Sequence, residues 1–271
     1  MTGYNAEGSE ARPDARDFVR RGSVVRKIWG DPDLVLLVFA GSAAEFALNK
    51  AVDWLFFTGR LPADPVGRLF STVRYAQAIV FGDEEAARRT FERINEAHRG
   101  VERARGATIP EWAFRDVLYM LVDYSERAHG LLYGPLSVAE RGEVYAVFRR
   151  VGEGLNVREL PDDYRGWRAD RRLHLERDLA HGPHTAKLYA QYRRHLGEWR
   201  YRLLLEVQAL LAPEAVRRLL RLRRRTVFSA LAGGYGLLGG LGLRPVVRRL
   251  LMQPRYRGEV ESLGRAAEAR G

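Results

Sequence analysis

The chain contains no cysteine. That single absence excludes disulfides, thiolate zinc sites, iron–sulfur clusters, a thiolate ligand to haem and cysteine nucleophiles. Runs of alternating apolar and polar residues are also lacking, as are hairpin signals, which argues against a β or α/β fold. No glycine-rich phosphate loop follows a strand signal, and no Gly-x-Ser-x-Gly elbow and no His-Glu-x-x-His pair occurs, so the common nucleotide, hydrolase and zinc-peptidase signatures are missing. Residues 1–17 are polar and acid-bearing with no apolar stretch, so a secretory leader is not expected and the cytoplasm is the expected location. No internal repeat is visible.

What is present is ordinary globular material. Of 271 residues, 46% are hydrophobic and 29% charged, enough to bury a sizeable core in one large domain or two small ones. The net charge is +11. Basic residues are spread along the chain and are densest at Arg217, Arg218, Arg221, Arg223, Arg224 and Arg225, followed by Arg244, Arg248 and Arg249. Such a run reads first as a solvated helix face, with a nucleic-acid or anionic membrane partner as the alternatives.

Glycine and proline punctuate long segments of helical periodicity, so the expected class is all-α. A single domain over 23–257, of roughly eight to ten helices, would lie between a flexible arm at 1–22 and a flexible tail at 258–271. An apolar segment runs from Leu34 to Phe57 after the helix start Asp31-Pro32-Asp33. Helices follow at about 66–81, 84–104, 110–132, 137–153, 161–180 and 184–211, then a short basic one to 225 and a last one after Pro245. The stretch 226–243 carries no charge and would reach about 27 Å as a helix, but its six glycines weaken both helix and hydrophobicity. A buried glycine-rich helix pair is the favoured reading, with shallow membrane contact through 217–250 left open.

Six histidines are candidates for chemistry: His98, His129, His174, His181, His184 and His195. His181 and His184 flank Gly182-Pro183 without a matching carboxylate, and an exposed turn explains them. His129 near a helix end and His174 among arginines fit a surface. His98 is different. It follows Ala87, Phe91 and Ile94 and precedes Val101 on the apolar face of its helix, so it points inward. A satisfied core histidine and a haem ligand both fit that spacing. One helix earlier, Arg68 and Thr72 share a face. An inward arginine there needs a carboxylate or phosphate partner, whether a haem propionate or Asp64 or Glu45. Glu45, Asn49 and Asp53 recur every four residues, a polar stripe that either lines a pocket or makes a core salt bridge.

These residues fall in an order that resembles the bacterial rubber oxygenase (latex-clearing protein) and MpaB oxygenase family. The core of the resemblance is Arg68-Leu-Phe-Ser-Thr72, Val80-Phe81-Gly82 with Glu84-Glu85-Ala86, then Arg93 and His98-Arg-Gly-Val101. Leu121-Val122-Asp123, Gly134-Pro135-Leu136-Ser137 with Glu140-Arg141, and Leu160-Pro161 extend it over roughly 25–215. The resemblance implies a helical fold around one haem b. His98 would be the proximal iron ligand, and Arg68 and Thr72 would lie by the haem on the side that meets oxygen. Members cleave isoprenoid double bonds with dioxygen, so an apolar, isoprenoid or alkene, substrate is implied. Glu45 is a candidate base by position. Three departures change the implied pocket. Asn49-Lys50 stands near a common His-Pro pair, Asp116-Val117-Leu118 stands for Trp-Val-His, and Ser71 stands where rubber-cleaving members have lysine.

Three functions therefore compete. The first is a haem-dependent oxygenase using His98, Arg68, Thr72 and Glu45. The second is a haem-binding or sensor protein of the same fold without turnover, consistent with the lost His-Pro and Trp-Val-His elements. The third is a basic helical module for membrane or nucleic acid, supported by the arginine cluster; of these two partners nucleic acid is the less expected.

Overall fold

The structure is a computed structural model that describes residues 16–57, 64–223 and 258. The described residues form an all-α fold without a named strand. In chain order the helices are α1 (Val24–Gly30), α2 (Pro32–Phe46), α3 (Asp53–Phe57), α4 (Pro65–Val80), α5 (Glu84–Arg105), α6 (Glu111–Tyr133), α7 (Val138–Gly154), α8 (Tyr164–Arg177), α9 (Pro183–Leu196), α10 (Glu198–Leu211) and α11 (Glu214–Leu220).

Local chemistry sets many of the helix starts. Side chains of Ser23, Asp31, Asp64, Asp83 and Asp163 each accept a backbone N–H of the first turn they precede, a contact worth about 1 kcal/mol per cap. Ser137 and Glu140 close a reciprocal capping box at α7. The Gly134–Arg141 part of the family resemblance is therefore helix-entry chemistry. Gly82 is similarly structural, because a Cβ there would stand 2.4 Å from the Ala78 carbonyl oxygen.

Helix α2 is the axis of the packing. It lies against α1, α6, α10 and α11, and an all-round apolar helix belongs in such a place. Its most extensive contact is with α6, where Gly41 admits the ring of Tyr124: a Cβ on Gly41 would meet that ring at 2.6 Å. Trp29, Trp167, Tyr119, Tyr124 and Tyr145 are among the largest fully buried side chains. Helix α4 packs on α5, α1 and α9.

Three expectations change. The segment 34–57 is two helices, because the chain turns at 47–52 and pairs back across the fold: Lys50 N donates to the Asp178 carbonyl at 3.0 Å and Ala180 N to the Leu48 carbonyl at 2.8 Å. The segment 184–211 is also two helices, broken where Gly197 takes φ of +74°, a region that disfavours side chains with a Cβ. Residues 16–19, expected within a flexible arm, are docked. Phe18 and Val19 are buried, Phe18 N donates to the Gly82 carbonyl at 3.0 Å, and the Phe18 ring meets Phe91 edge-on. The stretch 226–243, the expected helix after Pro245 and most of the expected flexible ends fall outside the described residues. No helix among the described residues is long and apolar enough to cross a membrane.

Candidate functional site

Helix α5 delivers His98 to the inner surface. Asp83 caps it, Glu84 and Glu85 occupy its first turn where carboxylates favour the dipole, and Ala87, Thr90 and Phe91 are buried along one face. His98 lies farther along that face and is half-buried. Its ring sits 5.0 Å from that of Phe114 at the start of α6. Burial, reinforced by the positive charge of Arg68, lowers the pKa of His98, with Glu102 opposing. These effects favour the uncharged imidazole, and among the described residues it makes no hydrogen bond.

Arg68 and Thr72 lie one turn apart on α4. The Arg68 side chain is exposed but close enough to act electrostatically on His98. The Thr72 hydroxyl donates to the Arg68 carbonyl at 3.2 Å. Two turns beyond His98 on α5, Arg105 lies 4.0 Å above the Trp54 ring and pairs with Asp53 at 2.6 Å. Its Nη1 is buried with no partner among the described residues. An imidazole without a hydrogen bond among the described residues, with the charge of Arg68 acting on it, has the chemistry of a ligand to an anionic, iron-bearing macrocycle.

Glu45 belongs to a second group, a buried polar layer between α2, α6 and α8. Arg171 of α8 clamps it through two bonds of 2.6 and 2.7 Å, and donates to Asp123 at 3.0 and 3.2 Å. Asp123 also accepts from Arg127 at 2.6 Å. Burial raises the Glu45 pKa although Arg171 opposes it, whereas Asp123, sharing Arg171 and Arg127, is lowered. Each residue of the 45–49–53 stripe has its own partner: Arg171 for Glu45, Asp116 for Asn49 and Arg105 for Asp53.

The second group continues along α8. His174, expected at the surface, is 1% exposed. Its Nδ1 faces both Asp116, at a very short contact, and Asp178 Oδ2 at 3.0 Å, while Nε2 faces Asp170 at 3.6 Å. The arginines near it in sequence, Arg172 and Arg177, project outward from other faces of the helix, while Asp170, His174 and Asp178 recur every four residues on the inner one. That spacing was the available signal. Asn49 Nδ2 donates to Asp116 Oδ2 at 2.6 Å. His184, expected in an exposed turn, packs its ring 4.4 Å from Phe56.

A family model described as ER-bound oxygenase mpaB/B'/Rubber oxygenase, catalytic domain, matches residues 26–238. No curated protein and no solved structure matches the chain.

Proposed function

The chain belongs to the MpaB/rubber oxygenase family, its catalytic-domain model covering 26–238, and on that premise we propose that it is a haem b-dependent oxygenase acting with dioxygen on an apolar substrate. The family indicates an oxygenase; the cofactor, its ligands and the substrate class are the proposal. The observation that carries it is the setting of His98: half-buried on the apolar face of α5, its pKa lowered by burial, and without a hydrogen bond among the described residues.

In this reading His98 offers its free nitrogen to the haem iron. Arg68, and Arg105 through the Nη1 that has no partner among the described residues, would hold the carboxylates of the macrocycle by charge-assisted hydrogen bonds. Phe114 fixes the imidazole plane and excludes water from one side. Thr72 presents its hydroxyl from the same helix face as Arg68. When bound, the haem would supply the oxygen chemistry, and the protein would supply the ligand and its orientation. Glu45, clamped by Arg171, serves as a positioning residue that holds α2 to α8; any role as a base requires that clamp to open.

The test is direct. The purified protein should show a Soret band and about one haem per chain by pyridine haemochrome, and His98→Ala should lose stable haem while remaining folded. A variant that keeps a full complement of haem would sink the assignment of His98.

A second reading has one observation in its favour. Asn49 and Asp116 occupy positions near those of the family's His-Pro and Trp-Val-His elements and bond to each other, which suits a haem-binding or sensor protein without turnover. Oxygen-dependent cleavage of an apolar alkene, followed by mass spectrometry, decides between the two.

A further inference from the structure

We propose that Asp116, His174 and Asp178 form a binding site for one divalent transition-metal ion, separate from the His98 corner. One ligand atom from each lies within 4.8 Å of the other two, and the three side chains are 2%, 1% and 4% exposed. Ions bound at about 2.0–2.2 Å to each ligand need donors roughly 3–4 Å apart, so a small adjustment of these three brings them into range.

Charge balance makes the case beyond proximity. His174 Nδ1 faces a carboxylate oxygen of Asp116 and one of Asp178, yet a single N–H serves only one of them well. Asp170 stands on the other ring nitrogen, its Oδ2 already accepting from Tyr119 at 2.7 Å. Three carboxylates thus surround one imidazole. The cationic partner among them is Arg177, which binds both oxygens of Asp178 at 2.7 Å from a half-exposed position. Lys50 directs its ammonium to the Arg177 carbonyl rather than to a carboxylate. With His174 neutral, Asp116 and Asp178 share the single charge of Arg177 in a buried place, a costly arrangement; with His174 charged, the surplus is one negative charge once Asp170, 28% exposed, is included. Asp178 also caps the C-terminus of α8, the end of a helix that favours cations and disfavours carboxylates. A bound cation answers both problems, and Asn49, donating to Asp116 Oδ2, orients that ligand's other oxygen toward the ion.

The donors name the class. One imidazole nitrogen with two carboxylates and no thiolate suits Zn²⁺, Mn²⁺ or Fe²⁺ better than Ca²⁺ or Mg²⁺, which prefer all-oxygen shells. The ion would tie α6 to α8 and to the turn at 47–52.

The experiment uses the full chain, stripped with a chelator and titrated separately with Zn²⁺ and Mn²⁺, with bound metal counted by elemental analysis and melting followed in parallel. Wild type should take up about one ion per chain and melt at a higher temperature when loaded. Asp178→Asn and His174→Gln should bind more than about tenfold more weakly. His98→Ala should bind as wild type does, so this result and the haem result can fail independently. Should the buried variants not fold, Arg177→Ala supplies the check at a half-exposed position: removing the guanidinium that competes for Asp178 should tighten binding. Equal uptake by wild type and the ligand variants, unchanged binding in Arg177→Ala, or no uptake by wild type, as expected if an imidazolium alone balances the carboxylates, would overturn the proposal.

Discussion

Glu126 shows how burial turns one carboxyl into a pH sensor. Its Oε2 accepts from the Tyr164 hydroxyl at 2.9 Å, while Oε1 is buried without a partner among the described residues. Burial first, then the negative charge of Asp123, raises its pKa from 4.5 to about 7, with the Tyr164 hydrogen bond opposing. The folded state therefore holds a proton that the unfolded chain releases at lower pH. Stability falls as pH rises from 4.5 towards 7, by about 3 kcal/mol at most, and the loss is complete above pH 7. Glu126→Gln should flatten that slope and raise the melting temperature at pH 8 by roughly 5 °C, with little change at pH 4.5; thermal melts across pH decide it. Arg171 presents the opposite case, a buried cation answering two buried carboxylates. Arg171→Met should cost about 3–5 kcal/mol by leaving Glu45 unpaired. Adding Glu45→Gln should recover much of that loss, because Asp123 keeps Arg127. Urea titration of the single and double variants measures both.

Among elements, the α2–α6 contact constrains sequence closely. Gly41→Ala would press a methyl into the Tyr124 ring, and overpacking of that kind costs about 1–3 kcal/mol; a denaturation midpoint lowered without change of slope is the expected result. Most helices were legible because each joins a capping side chain to an apolar period, as α4, α5 and α7 do. The breaks at 47–52 and at Gly197 were not. The turn at 47–52 has neither glycine nor proline and is imposed from outside, by backbone pairing with 178–180. Gly197 stands alone between two segments of similar period, where a lone glycine is tolerated in a helix as often as it ends one.

At the scale of the whole molecule, the all-α class and the family were both readable, the family because its motifs occur in order along α4 and α5. The half-buried position of His98 was legible through its place on the apolar face of α5. His174 was not, because its neighbours in sequence are arginines while its neighbours in space are carboxylates from α6 and from the end of its own helix. The partner of Glu45 was likewise out of reach: Arg171 lies 126 positions away, and no local pattern selects it over Lys50 or Arg68.

The docked segment at 16–19 has a mechanical consequence. Phe18 N donates to the Gly82 carbonyl and Glu84 N to the Arg16 carbonyl, two rungs that straddle the turn from which α5 departs, while Arg150 of α7 lies over the Phe18 ring at 4.3 Å and donates to the Phe18 carbonyl. Tension on the chain ahead of Arg16 would load both rungs together and reach the root of the helix that carries His98. The first stretch to yield would thus be a short clasp, and the helix behind it would be released at its capped end, far in sequence from the histidine but on the same rigid rod.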